Sequence, residues 1–181
     1  DHPGKSSSIG HQSDPALAAN SIPVLFPATV QEYLDYGLHG IALSRFAAVV
    51  VGFKCVNETV TATATVTIDP DRVPTHLPQN MPLPEGGIHI RPEYDPLGQD
   101  ERMVRYKLPR VLAYARQHRI DRVAFGSTRP TRLGIVTSGK AYLDCVAALR
   151  QLGIDEERAR SLGIGLYKVG MVWPLEPEGL K

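Results

Sequence analysis

From Leu133 to Pro174 the chain reads strand, helix, helix, strand with almost no spare residues between the elements. Leu133-Gly134-Ile135-Val136 is a short apolar run that ends in a small polar turn, Thr137-Ser138-Gly139-Lys140. Tyr142, Leu143, Val146, Leu149 and Leu152 then recur at helical spacing, and Gly153 stops them. Asp155 to Leu162 predicts a second, charged helix closed by Gly163. Ile164 to Val169 is another apolar run, continued by Gly170-Met171-Val172-Trp173-Pro174. Strands joined this tightly through helices predict a parallel pair with a right-handed crossover. Ligands of such sheets sit outside the strands' carboxyl ends. Here those ends are Thr137 to Lys140 and Gly170 to Trp173.

The bulk of the chain narrows the classes open to it. Its 181 residues fit one ordinary domain or two small ones, with 43% apolar and 22% charged residues. Lysine and arginine total 20 against 19 acids, a net charge of +1. That balance builds no broad positive field, so nonspecific nucleic-acid binding is not expected. Cys55 and Cys145, the two cysteines, lie far apart. They exclude a disulfide scaffold and an iron–sulfur or zinc site made by this chain's cysteines alone. Reduced thiols point to the cytoplasm. No apolar run approaches the ~20 residues of a membrane helix, and no basic-then-apolar leader opens the sequence. Both ends read as cut, which suggests a piece of a longer protein.

Asp1 to Asp14 reads as a polar loop, followed by a short helix from Asp14 and Pro15 to about Asn20. Ile22 to Phe26 predicts a buried strand. Thr29 should cap a long helix with Val30, Tyr33, Leu34, Gly37, Leu38, Ile41 and Arg45 on its inner side. Gln31, Glu32 and Asp35 are expected on its wet face, where they suit the positive helix start. Ala47 to Phe53 predicts a strand covered on both faces. Residues 59–68 alternate threonine with Val60, Ala62, Ala64, Val66 and Ile68, the pattern of a half-exposed edge strand, though a helical turn at its start fits too. From Asp69 to Gln99 prolines and glycines predict an irregular connector lying on a surface. A helix resumes near Asp100, with Val104, Leu108, Val111, Leu112 and Ala115 inward and Arg102, Arg105, Arg116 and Arg119 outward. Pro109 must kink or split it. Arg122 to Phe125 predicts a short strand. The fold class expected is α/β with parallel-sheet units, divided as 1–69, a connector and helix over 70–130, and a second unit over 131–181.

Gly134 to Ala141 falls one residue short of a phosphate-cradling loop, because Ala141 lacks the hydroxyl that holds magnesium. The turn remains a candidate anion or cofactor site through Gly139 and Lys140 at a helix start. Lys54 follows the buried run ending at Phe53, with Asn57 and Glu58 close behind. A cation there can grip a substrate carboxylate while its neighbours orient it. Lys5, Ser6, Ser7, His11 and Gln12 form a loop dense in donors, the kind of segment that lines pockets. His39 reads as a packing or capping histidine. His76, His89 and His118 have no metal spacing between them, and no nucleophile triad is visible. Cys55 beside Lys54 has the setting of a lowered thiol pKa.

Several stretches, taken together and in this order, resemble indolepyruvate ferredoxin oxidoreductase of the long bacterial form, a thiamine-dependent 2-oxoacid:ferredoxin oxidoreductase. They are Lys5-Ser-Ser, Gln12-Ser, Pro27-Ala-Thr-Val-Gln-Glu-Tyr-Leu-Asp-Tyr-Gly-Leu-His-Gly, Gly52-Phe-Lys-Cys-Val-Asn-Glu-Thr, Leu133-Gly-Ile-Val-Thr-Ser-Gly-Lys-Ala-Tyr-Leu-Asp and Leu166-Tyr-Lys-Val-Gly-Met-Val-Trp-Pro-Leu-Glu-Pro-Glu-Gly. The resemblance implies that residues 1–69 are the later part of a pyrimidine-type thiamine-binding domain. From about 131 onward it implies the start of a transketolase C-terminal-like domain. The reaction implied is oxidative decarboxylation of an aryl 2-oxoacid to an acyl-CoA, with electrons passed through iron–sulfur clusters to ferredoxin.

Related pyruvate enzymes carry Gly-Phe-Arg-Thr-Ser-His-Glu where this chain has Gly52-Phe-Lys-Cys-Val-Asn-Glu58, and their arginine grips the substrate carboxylate. The resemblance assigns that role to Lys54, which keeps the charge and loses the bidentate fork. The Gly-Asp-Gly signature for thiamine diphosphate and Mg2+ is absent, as is any cysteine cluster. The cofactors are therefore expected on other parts of the parent chain, the piece alone is expected to be inactive, and a homo-oligomer is implied. The alternative is a noncatalytic α/β module that binds an anion or a partner subunit through Gly139 and Lys140.

Overall fold

The computed structural model describes residues 12–126 and 131–180. The chain runs α1 (Asp14–Ala19), β1 (Val24–Leu25), α2 (Val30–Ala47), β2 (Gly52–Phe53), α3 (Asn57–Val60), α4 (Pro96–Arg102), a π turn (Met103–Lys107) and α5 (Leu108–Gln117). It continues through β3 (Arg122–Gly126), β4 (Leu133–Ser138), α6 (Gly139–Gln151), α7 (Glu156–Leu162), β5 (Ile164–Val169) and β6 (Met171–Trp173). A 3-10 turn over Glu178–Leu180 follows.

Two three-stranded sheets carry the fold, ordered β2-β1-β6 and β3-β5-β4. The architecture is α/β as expected, but the sheets are mixed rather than parallel. β1 pairs parallel with β2 and antiparallel with β6; β5 pairs parallel with β4 and antiparallel with β3. The parallel pair anticipated from Leu133–Pro174 is β4 with β5, in continuous register from Leu133↔Ile164 to Ser138↔Val169. β3 lies before the boundary expected near residue 131 yet shares the sheet of β4 and β5.

Gly170 hands the chain from one sheet to the other. Its carbonyl accepts the Phe26 N–H (2.8 Å), while Asp121 Oδ1 accepts the N–H groups of Gly170 (2.7 Å) and Met171 (2.8 Å). A Cβ at this position would overlap the Tyr36 hydroxyl and the Ile120 carbonyl, so only glycine lets the two strands change sheets here.

Local signals explain most helix ends. Thr29 Oγ1 accepts the Glu32 N–H (3.2 Å), and Asp155 Oδ1 accepts the Arg158 N–H (2.8 Å) at the start of α7. Gly163, at φ 70°, closes α7 in the left-handed conformation that glycine adopts freely. Pro109 splits the second long helix as expected, and a π turn stands immediately before α5.

Further expectations need correction. The inner side of α2 is Glu32, Tyr36, His39, Gly40, Leu43 and Ala47, while Leu34, Leu38 and Ile41 are 45%, 51% and 54% exposed. Apolar residues occupy both sides of this helix, and the pull of a buried cation on Glu32 decides which turns inward. The strand expected over Ala47–Phe53 shrinks to Gly52–Phe53. Ala48 takes a left-handed φ of 53°, and Ser44 holds Val49 through its carbonyl and Oγ (3.3 and 2.7 Å), so the chain turns before it pairs.

Residues 59–68 form no ladder. α3 takes the first two, the helical turn that also fitted the start, and the rest pair with no strand; Gln31 bonds both backbone groups of Thr67 (2.8 and 3.3 Å) as a neighbouring strand would. Among the helix cations expected outward, Arg102 is tucked in with its side chain 16% exposed, while Arg116 stays exposed and forks onto buried Glu176; Val104, expected inside, is exposed. The connector lies on the surface as expected. Arg110 binds the carbonyls of Met81 (3.2 Å) and Pro82 (2.7 Å), and Gln117 (2.6 Å) and His118 (2.8 Å) both bond that of His76.

The main core joins α2, β1, α5 and β6 through Leu25, Tyr36, Leu43, Val111, Tyr114, Ile120 and Met171. A second cluster, Phe125, Val146, Leu149, Ala159 and Leu166, fills the space under α6 and α7. Leu143 and Leu152, expected inside, lie on the exposed side of α6.

Candidate functional site

The carboxyl ends of β1, β2 and β4 meet at one ring. Phe26 follows β1, Lys54 follows β2, and Gly139 follows β4. The Lys54 Nζ stands 4.8 Å from the Phe26 centroid, and the Lys54 N–H donates to the Leu25 carbonyl (2.8 Å). On another side of the ring, Gly139 has φ 50°, and a Cβ there would lie inside Phe26. Lys54 and the Gly139 turn, which are far apart in sequence, are thus brought together around one buried aromatic side chain.

Each candidate has a definite place. Lys54 donates to Asp14 Oδ2 at 2.7 Å, with about a third of each side chain exposed. An ion pair this open contributes little, roughly 0–1 kcal/mol, and exchanges readily for another carboxylate. Asn57 opens α3 and is exposed; its carbonyl accepts the Thr61 N–H (3.0 Å) and hydroxyl (2.8 Å). Glu58 is half-buried, and its Oε2 has no hydrogen-bond partner, an unusual state for a buried oxygen. Gln12 is exposed just before α1. Lys5, Ser6, Ser7 and His11 lie outside the described residues.

The Gly139 turn does not offer an open cradle. Phe26 fills the space over Gly139, Lys140 pairs with Asp144 one helical turn on, and Ser138 makes no side-chain cap bond. Cys55, in the loop after β2, is exposed, and Cys145, on α6, is half-buried. Among the described residues no group of three histidine, cysteine or acidic side chains is placed to hold a metal ion.

A polar centre that the sequence reading missed lies behind this region. Lys168, only 1% exposed, forms an ion pair with Glu32 Oε1, while Glu32 Oε2 accepts the Ala28 N–H at 2.8 Å. The Lys168 ammonium also stands over the rings of Tyr142 (5.2 Å) and Tyr36 (5.6 Å). Burial lowers its pKa, opposed by the Glu32 charge, and burial raises that of Tyr36 beyond its ordinary range. Arg122 approaches Glu32 Oε1 at 3.5 Å. Two signals were available. Thr29-Val30-Gln31-Glu32 is a capping-box pattern, which turns the glutamate back toward the helix start and away from water. A lysine inside the apolar run Ile164–Val169 also needs a buried partner.

Beside this centre a cleft of about 130 Å³ is lined by Glu32, Asp35, Tyr36, His39, Arg72, Val73, Pro74, His118, Arg119, Ile120 and Arg122. Arg72 forks onto Asp35 (3.2 and 2.8 Å). His39 bonds Tyr114 through Nδ1 (3.1 Å) and packs on His118 with ring centroids 5.0 Å apart. Burial, helped by His118, brings the His39 pKa down to about 4. Pockets for cofactor-sized ligands run to about 300–1,000 Å³, so this cleft suits something much smaller.

Residues 122–181 match the indolepyruvate oxidoreductase domain. The match begins at β3 and covers the second sheet, α6, α7 and β6, where the motifs of Leu133 to Glu178 lie. That stretch, about a third of the chain, is similar to a domain of indolepyruvate oxidoreductases. Residues 1–121, with Lys54, lie outside the matched stretch. No curated protein compared with the chain matches it. No helix among the described residues is long and apolar enough to cross a membrane.

Proposed function

We propose that this chain is part of an enzyme that oxidatively decarboxylates indolepyruvate, or another aryl 2-oxoacid, to an acyl-CoA with ferredoxin as electron acceptor. The match of residues 122–181 to the indolepyruvate oxidoreductase domain carries this reading. Thiamine diphosphate, Mg2+ and the iron–sulfur clusters belong to other parts of the parent protein, and the isolated chain turns nothing over. A cytoplasmic homo-oligomer completes the proposal.

This chain's own contribution is to hold the oxoacid. Lys54 receives the carboxylate at the end of β2, where its present partner Asp14 is itself a carboxylate and can be exchanged for one. Phe26 packs against the lysine and fixes the approach. Asn57 and the unpaired Glu58 oxygen offer polar contacts nearby.

The test is coenzyme-A-dependent reduction of a viologen dye by the full-length protein, with indolepyruvate and pyruvate compared. Lys54→Met should raise KM for indolepyruvate by about tenfold or more with kcat little changed, as expected for loss of a charge-assisted contact made in ground and transition state alike. An unchanged KM removes Lys54 from the site. Absence of any oxoacid-dependent reduction, with cofactors loaded, removes the reaction.

A further inference from the structure

We propose that the cleft between α2, the connector and the α5–β3 turn binds a small oxyanion of the phosphate class. The inference is independent of the thiamine-enzyme reading and concerns residues remote from Lys54.

Two cations of the cleft lack a close carboxylate of their own. Glu32 already holds Lys168, and Asp35 is gripped by both Nε and Nη2 of Arg72. Arg122 reaches the shared Glu32 oxygen only at 3.5 Å, the outer limit of a hydrogen bond. Arg119 makes no ion pair among the described residues. Arg119 and Arg122 are thus the cleft cations least satisfied by carboxylates, while Asp121 acts on Tyr36 and Asp69 on Arg72 from behind the lining.

The arginines, partly exposed, line a concave surface together with His39 and His118. Each histidine has one ring nitrogen engaged, His39 by Tyr114 and His118 by the His76 carbonyl, so a second nitrogen on each is left for a ligand. Planar guanidinium groups match the edges of a tetrahedral oxyanion. The cleft volume of about 130 Å³ admits such a group and excludes a cofactor-sized molecule.

Arg119 also provides a clean variant. It holds φ 50°, a left-handed conformation that glycine adopts at no steric penalty. Arg119→Gly therefore removes the charge while relieving the backbone, and it should not lower the melting temperature.

The experiment is a 1H–15N NMR titration of the 181-residue chain with inorganic phosphate at pH 7.5, with ionic strength held constant by sodium chloride, and a parallel titration with acetate. Expected are saturable shifts centred on the amides of His118 to Arg122 and of Arg72 and Val73, with phosphate at least tenfold tighter than acetate. Arg119→Gly and Arg122→Gln should each weaken phosphate binding roughly fivefold or more, the scale of a partly exposed charge-assisted contact. Should Arg122→Gln not fold, Arg119→Gly decides alone. Linear, unsaturated shifts, shifts scattered over the chain, acetate binding as tight as phosphate, or wild-type affinity in Arg119→Gly overturns the assignment.

Discussion

At the scale of single residues, His39 makes the protein sensitive to acid. It is held neutral in the fold, facing Asp35 on its own helix and Tyr114 and His118 on α5, with a pKa of about 4 against 6.5 when unfolded. A histidine with a lowered pKa contributes fully above pH 6.5. Below that the unfolded chain takes up a proton the native one refuses, and stability falls until about pH 4. Between pH 7 and pH 5 this group alone removes about 2 kcal/mol. Urea unfolding at the two pH values should show that loss in the wild type and a clearly smaller one in His39→Gln. Equal losses would mean that other groups carry the acid sensitivity, His118 being the first to examine because burial lowers its pKa too.

At the scale of elements, the turn between β4 and α6 is held by fit between a ring and a missing side chain. Gly139→Ala must place a methyl where Phe26 stands and keep an L-residue at φ 50°. The left-handed backbone alone costs about 1–2 kcal/mol, and overpacking adds about 1–3. Thermal or urea unfolding of Gly139→Ala should therefore show a loss of about 2 kcal/mol or more.

Elements of this kind were legible in the sequence because their signals are local. Asp155 and Gly163 bracket α7, Thr29 begins α2, and Pro109 divides the second long helix, each acting on neighbours within a turn or two. The face of α2 was not legible, because Glu32 turns inward to meet a lysine 136 residues away. Period counting favoured Leu34, Leu38 and Ile41, which are apolar and nonetheless half exposed. The run Ala47–Phe53 failed for a related reason. Composition marks it as buried but says nothing of the left-handed Ala48 that delays the strand. At the candidate site, Lys54 was visible from its position after an apolar run. Its neighbourhood with Phe26 and Gly139, by contrast, depends on three strands meeting.

At the scale of the whole molecule, Glu32 and Lys168 tie α2 to β5, and so the first sheet's helix to the second sheet. Removing one member leaves a buried charge without its counterion, at about 3–5 kcal/mol. Replacing both with uncharged groups of similar shape is far less damaging. Lys168→Met should lower unfolding stability by that amount, and the double variant Glu32→Gln/Lys168→Met should recover a good part of it. If the double variant is no more stable than Lys168→Met, the pair is not what couples the two sheets.

The passage of the chain through Gly170 also orders events during synthesis. β1 and β2 leave the ribosome before the other strands, but the third member of their sheet, β6, is made only after β5. The sheet of β3, β4 and β5 comes from one continuous stretch and can close as soon as β5 has emerged. The amino-terminal half therefore waits with one edge of β1 unpaired, and the Phe26 amide gains its partner only when Gly170 arrives. A nascent chain arrested before β5 should leave Val24, Leu25 and Phe26 open to protease and to chaperone binding, and release of a few more residues should bury them.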